Sequence, residues 1–253
     1  MKHVIITQAR NLSIRLENWI AYHASQGINC LIFFDDFSVD SSKKRIIEIC
    51  NKYGIDLELL ATDGKGQMFD TTDSELYGHS VSCNYRIVRS LSRGLDIANI
   101  KYGQCICYLI DVDEYVVSDM DSNISDIVEN MMETKKIDRI YCHSFDVDNK
   151  YTLSNWITNQ PASCSRWDYE SRNQTKFKNR GKSICKSDYA KTPLIQHGGV
   201  VHDLGYVVDE SEHAHDYSVL RMHHFRIPPL IDSEKQITFI EDKTLYNKTI
   251  GMS

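Results

Sequence analysis

The first half of the chain alternates between two hydrophobic periods, and that alternation limits the folds open to it. His3 to Thr7 (HVIIT) is a short apolar run suited to a strand buried on both faces. Leu12, Leu16, Trp19, Ile20 and His23 then recur at spacings of three and four. With Asn11 or Ser13 to cap the start and Gly27 to close the end, they predict an amphipathic helix. CLIFFDD, from Cys30, reads as a second buried strand that breaks into the polar turn Phe37 to Asp40. Ile46, Ile47, Cys50 and Tyr53 form a second helical stripe ended by Gly54, and Ile55 to Leu60 is a third strand. The polar stretch from Ala61 to His79, with Gly64 and Gly66, has no clear period and reads as a loop or lid. Val81, Tyr85, Val88, Leu91 and Leu95 mark a third helix, and Gln104 to Ile110 a fourth strand. Ile124, Ile127, Val128 and Met131 suggest another helix, and Ile137 to Phe145 another strand.

This order predicts an α/β fold, a mostly parallel, Rossmann-like sheet flanked by helices, with ligands at the carboxyl ends of its strands. From Asp146 to Gly205 the sequence turns rich in Asn, Ser, Lys and aromatic residues and loses its periods. An irregular C-terminal half is therefore expected to build specificity, and Asp232 to Ile240 reads as a short terminal helix. Neither a Pro- or Gly-rich linker nor a repeat divides the 253 residues. One domain over 1–253 is expected, with halves at 1–120 and 121–253.

Composition removes several function classes. With 42% hydrophobic and 25% charged residues, the chain is neither disordered nor fibrous. A net charge of −6 argues against a nucleic-acid-holding surface. Eight cysteines without a CxxC pair read as reduced thiols rather than a zinc site or a disulfide framework. The longest apolar runs are about half of the ~20 residues a bilayer-spanning helix needs. No charged start followed by an apolar run marks secretion, so a cytoplasmic location is expected, with peripheral membrane association left open.

The segment most informative about chemistry is YLIDVDEYV, beginning at Tyr108. If the strand stays extended, Asp111 and Asp113 share a face, and two carboxylates brought together near a strand end repel unless a cation joins them. Oxygen ligands suit Mg²⁺ or Mn²⁺, which bridge proteins to diphosphates while keeping some waters. The plainer alternative is a solvated acidic turn.

TQARNLSIRLENWIAYHASQGINCLIFFDDFSVDSS, from Thr7, together with IDVDEYV resembles the opening of GT-A glycosyltransferases of the family 2 and family 92 type. The resemblance rests on the fused order of Arg10-Asn11, Glu17-x-Trp19-Ile20-x-Tyr22-His23, Asp35-Asp36-x-Ser38-x-Asp40 and Asp111-x-Asp113-Glu114, and covers roughly the first 120 residues. Leu12 stands where the family usually has Glu, and Phe37 where it often has Asn. The resemblance implies a metal-dependent transferase that moves a sugar from a nucleoside-diphosphate sugar, UDP-linked by expectation, to a glycan or glycolipid acceptor in surface-polysaccharide assembly. Thr7, Ala9, Arg10, Asn11 and Asp111 would hold the donor, as would the acidic end of the second strand, Asp35 and Asp36, with Asp36 meeting base or ribose; Asp111, Asp113 or both would carry the metal, Mn²⁺ or Mg²⁺. A late histidine often joins the metal in such enzymes: His224 in His224-Phe225 is the first choice, and His197, followed by two glycines, the alternative.

Sugar transfer leaves an anionic diphosphate and forms an oxocarbenium-like centre, so cations are expected nearby. NRGKSICK offers Arg180, Lys182 and Lys186, of which the two lysines are assigned to donor binding. An inverting transfer also needs a carboxylate base. Asp203, Asp188, Asp168 and Asp146 are candidates, with Asp203 and Asp146 preferred. Trp19 belongs to the apolar helix stripe and reads as core, whereas Trp156 and Trp167 are open to acceptor stacking. Two other readings stand beside this one: a haloacid-dehalogenase-like phosphotransferase, whose DxDx[TV] motif would need Thr or Val at Tyr115, and a non-catalytic carbohydrate-binding module on the same fold.

Overall fold

The computed structural model describes residues 1–12, 16–62, 79–146, 162–165, 181–189, 219–224 and 239–242, excepting the side chains of 79–86, 88, 145–146, 162–165 and 239–242. Its first strands are β1 (His3–Ala9), β2 (Cys30–Asp35), β3 (Asp56–Ala61) and β4 (Ile106–Leu109). The helices are α1 (Leu16–Ser25), α2 (Ser42–Tyr53), α3 (His79–Tyr102) and α4 (Ile124–Lys135). Later strands are β5 (Glu114–Val117), β6 (Arg139–Asp146), β7 (Ala162–Ser165), β8 (Gly181–Lys186), β9 (Arg221–His224) and β10 (Phe239–Asp242).

Eight strands form one sheet in the order β3-β2-β1-β4-β8-β6-β9-β5. The expected α/β architecture holds, with one refinement: β3, β2, β1 and β4 run parallel, but β8 joins β4 and β6 antiparallel, and β5 joins β9 antiparallel. The strands that turn the sheet mixed come from segments without sequence periods. Four-residue strands such as β5 and β9 are too short to show an alternation. Phe239 and Ile240, expected in a terminal helix, instead lie in β10, which pairs antiparallel with β7.

Alternation along the central strands builds two cores. Ile5, Leu31, Phe33, Ile106 and Tyr108 face the layer of α1, α2 and α4, through Trp19, Ile20, Ile46, Ile49, Ile127 and Val128. Val4, Ile6, Ile32, Phe34, Cys107 and Leu109 face α3, whose Leu91, Leu95 and Ala98 recur at helical spacing. Both faces of the parallel strands are thereby covered, as continuous apolar runs require. Gly54 ends α2 with φ +69, a left-handed conformation that costs glycine little, and its N–H returns to the Cys50 carbonyl. The six described cysteine side chains are buried free thiols, and burial pushes Cys50 and Cys185 up to about 12, so they stay protonated. Among the described residues no helix is long and apolar enough to cross a membrane.

Candidate functional site

Strand order locates the site before any side chain is considered. The chain winds outward from β1 through β2 to β3, then returns to add β4 on the other side of β1. The carboxyl ends of β1 and β4 therefore flank a topological switch point, where open α/β sheets leave a crevice. Arg10 and Asn11 follow β1 there, and Ile110 and Asp111 follow β4.

Past β4 the chain does not stay extended. The Glu114 N–H donates to the Asp111 carbonyl at 3.0 Å, which makes 111–113 a turn rather than a continuing strand. Two-residue alternation thus does not place the carboxylates of Asp111 and Asp113, and each takes its own partner. Glu114 closes the turn a second time, its Oε2 accepting the Asp111 N–H at 2.8 Å. Glu114 is buried at the start of β5, and its carboxylate was absent from the sequence-derived site. The fourth letter of Asp-x-Asp-Glu was the available signal.

Lys182 reaches this turn from β8. The β4–β8 register pairs Tyr108 with Ile184, which brings Lys182, two residues beyond, level with the end of β4. The preceding Gly181 lets β8 lie close to β6, because a Cβ there would run into the Cys142 carbonyl and the Tyr141 ring. Lys182 Nζ lies 2.7 Å from Asp111 Oδ2 and 3.6 Å from Glu114 Oε2, with its side chain only 8% exposed. Burial alone would lower the lysine pKa, but the charges of Asp111 and Glu114 outweigh it and raise it, so the ammonium stays charged. Burial pushes Glu114 up to about 7, against the pull of Lys182 and with the push of Asp111.

Asp113 faces the other way, toward β9. Its Oδ2 lies 3.5 Å from His224 Nε2. Burial would raise the Asp113 pKa, but the His224 hydrogen bond and charge, aided by Lys182, outweigh it and hold the carboxyl below its ordinary value. The ladders pair His224 with Glu114 on one side and with Asp146 on the other, so the backbone of Asp146 also reaches this end of the sheet.

Across the switch point lie polar atoms of β1 and of the residue that follows it. The Thr7 hydroxyl and one Arg10 guanidinium nitrogen are buried without a hydrogen-bond partner among the described residues. Ala9 accepts the Asp36 N–H at 2.9 Å, and the buried Asp36 carboxylate accepts the Thr62 hydroxyl at 2.9 Å. Asn11 ties the loop after β2, donating its N–H to Ser38 Oγ at 3.0 Å and accepting the Val39 N–H on its side chain at 2.9 Å. Asn11 and Phe37 have φ of +53 and +56, a region that Asn adopts more readily than Phe. Asp35 pairs through Oδ2 with Lys43 at 3.1 Å and accepts the Ser38 N–H, while its buried Oδ1 has no hydrogen-bond partner among the described residues.

Two sequence candidates are not brought to this cluster. Lys186 pairs in register with Ile106, at the opposite end of β4, and forms an ion pair with Asp138 at 2.6 Å. At about 3.3 Å per residue it stands some ~13 Å along β8 from Lys182. Asp188 lies beyond it, accepting from Gln104 at 2.9 Å. His197, Asp203, Asp168, Arg180, Trp156 and Trp167 fall outside the described residues. Trp19 is fully buried core, as its helical stripe implies.

The donor types fit a hard divalent cation. Asp113 and His224 converge, and Asp111 lies one turn away, offering carboxylate oxygen with one imidazole. Among the described residues no three His, Cys, Asp or Glu side chains gather closely enough to enclose an ion by themselves.

No family model matches the chain, and no curated protein matches it. Among solved structures, the chain is similar to the crystal structure of S. aureus TarS 1-349 in complex with UDP, at 13% identity and a TM-score of 0.39. That superposition takes in 64% of this chain, which spans 40% of the length of the TarS structure.

Proposed function

We propose that the chain is a metal-dependent glycosyltransferase of the GT-A type, moving a sugar from a nucleoside-diphosphate sugar, UDP-linked by first choice, to a glycan or glycolipid acceptor. The observation that carries this reading is the gathering of Asp111, Asp113, Glu114, Lys182 and His224 at the carboxyl end of β4, beside the switch point. The order of motifs resembling GT-A enzymes supports it, as do the buried Thr7 hydroxyl and Arg10 nitrogen, which have no hydrogen-bond partner among the described residues.

Asp113 and His224 would hold Mn²⁺ or Mg²⁺, with Asp111 as a further ligand; bound there, the ion supplies positive charge to the leaving diphosphate. Lys182 would add a second positive charge in a largely dry setting, where charge stabilisation is strongest. Arg10 would meet an anionic group of the donor at the end of β1, and Asp36 would accept a hydroxyl or an N–H from the nucleoside. The base for an inverting transfer would come from Asp146 or Asp203, while a retaining route would dispense with it.

A thermal-shift titration with UDP, with and without Mn²⁺, tests the reading, followed by a donor panel assayed for hydrolysis. UDP is expected to raise the melting temperature only with Mn²⁺ present, and Asp113→Ala to abolish the rise. Absence of a shift with every nucleoside diphosphate would overturn the proposal. Hydrolysis of p-nitrophenyl phosphate would mark a phosphotransferase, and glycan binding without donor turnover a binding module.

A further inference from the structure

We infer that Lys182 is a resident counter-ion that occupies Asp111 before the metal arrives, and that it exchanges Asp111 for the donor's diphosphate as the site loads. The inference rests on the metal-dependent reading above and concerns how that site is kept ready. Lys182 Nζ sits 2.7 Å from Asp111 Oδ2, on a carboxylate that would also serve a divalent cation. Glu114 Oε2, 3.6 Å away, provides a second anchor that is not needed by the metal, so the ammonium can leave Asp111 without losing every partner.

The arrangement answers an electrostatic difficulty. Glu114 is fully enclosed, and Asp111 is held against it by the 2.8 Å bond from its N–H to Glu114 Oε2. Without a cation these carboxylates and Asp113 would repel one another, and the turn would open. Lys182 is the described cation that lies against the turn, within reach of both Asp111 and Glu114 and with its side chain buried. With a divalent ion held by Asp113, His224 and Asp111, the ammonium of Lys182 would face a charge of its own sign and would leave Asp111. An arriving diphosphate supplies the anion that receives it.

Lys182→Met separates this role from a structural one through two effects of opposite sign. Isothermal titration with Mn²⁺ alone is expected to give about tenfold tighter binding than wild type, because a competing cation is gone. UDP titrated at saturating Mn²⁺ is expected to bind about tenfold more weakly, because the diphosphate loses its partner. Lys182→Arg, which keeps a positive charge there, should shift both affinities less than Lys182→Met does. Unchanged or weaker Mn²⁺ affinity in Lys182→Met, with wild-type binding measurable, overturns the exchange while leaving the metal site intact. Failure of the wild type to bind Mn²⁺ with or without UDP overturns the site reading and this inference with it. If Lys182→Met does not fold, the wild type still decides. The side-chain ammonium signal of Lys182, identified in ¹⁵N-lysine protein by its loss in Lys182→Arg, should move on adding Mg²⁺ and UDP. A signal that stays fixed while those ligands bind overturns the inference.

Discussion

The indole Nε1 of Trp19 donates to the main-chain carbonyl of Glu114 at 2.8 Å, which ties α1 to the residue that closes the acidic turn. One pleat further, the Tyr22 hydroxyl donates to the Val116 carbonyl at 2.7 Å. Among the described residues β5 is the last strand of the sheet, and carbonyls along its outer edge face no described strand. Trp19 and Tyr22, three apart on one helix face, meet two of them two residues apart on that edge. The Trp-x-x-Tyr-His order is thus a side-chain cap on a strand edge, and it carries the position of α1 into the turn that presents Asp111 and Asp113.

Replacing Trp19 by Phe keeps most of the packing but orphans a buried carbonyl. A loss of about 1–3 kcal/mol in urea unfolding is expected. Because Glu114 also holds the Asp111 N–H, the same variant should shrink the Mn²⁺-dependent thermal shift with UDP. Tyr22→Phe should cost a similar amount of stability, yet leave that shift closer to wild type, since Val116 lies further from the turn.

His23 gives the fold a pH dependence. It is buried, stacks on Tyr115 at 5.7 Å and contacts the Trp19 carbonyl through Nδ1, while Nε2 has no partner. Burial pushes its pKa down to about 4, against the opposing hydrogen bond to Trp19. The unfolded chain binds this proton below about 6.5 and the folded chain only near 4, so His23 removes stability as pH falls between those values. The full effect is on the order of 3 kcal/mol. Glu114, pushed up to about 7, acts oppositely, since its contribution is lost as pH rises toward 7. The difference between wild type and His23→Phe isolates the histidine. Urea midpoints measured from pH 7 to pH 4 should fall more steeply for wild type than for the variant.

The parallel half of the fold was legible because buried strands and amphipathic helices write their periods into the sequence. Val4, Ile6, Ile32 and Phe34 on one face and Ile5, Leu31 and Phe33 on the other do this in a few residues. β5, β8 and β9 were not legible as sheet partners, since their pairing depends on chain segments far apart in sequence. The acidic turn could be found from its letters, but not its division of labour. That Asp111 faces Lys182 while Asp113 faces His224 follows from the turn geometry and from which strand arrives on each side. Likewise, Lys182 and Lys186 share a face of β8, and only the register shows that they stand at opposite ends of the sheet.

Gly181 supplies a geometric test of how Lys182 is placed. In Gly181→Ala the new Cβ would meet the Cys142 carbonyl and lie 2.8 Å from the Tyr141 ring, so β8 must move away from β6. A cost of about 1–3 kcal/mol is expected, as for other overpacked positions. Unlike a substitution elsewhere in the core, this one should also weaken UDP binding at saturating Mn²⁺, because the displaced strand carries the ammonium with it. Urea unfolding and a UDP titration on the same sample check both parts.

Lys186 and Asp36 make opposing tests of the site's extent. The Lys186–Asp138 ion pair is partly exposed, at 26% and 58%, so its loss in Lys186→Met should cost at most about 1 kcal/mol. Being at the far end of β8, Lys186 should leave UDP affinity unchanged. Asp36 is buried beside the end of β1 with its carboxylate oriented by Thr62. Asp36→Asn keeps the shape but removes the negative acceptor, and a charged hydrogen bond is worth about 1.5–3 kcal/mol. UDP should therefore bind roughly tenfold or more weakly to this variant, while Mn²⁺ alone binds as before. Isothermal titration of the two variants side by side checks this. Equal loss of UDP affinity in both would mean that the donor lies along β8 rather than across the switch point between β1 and β4.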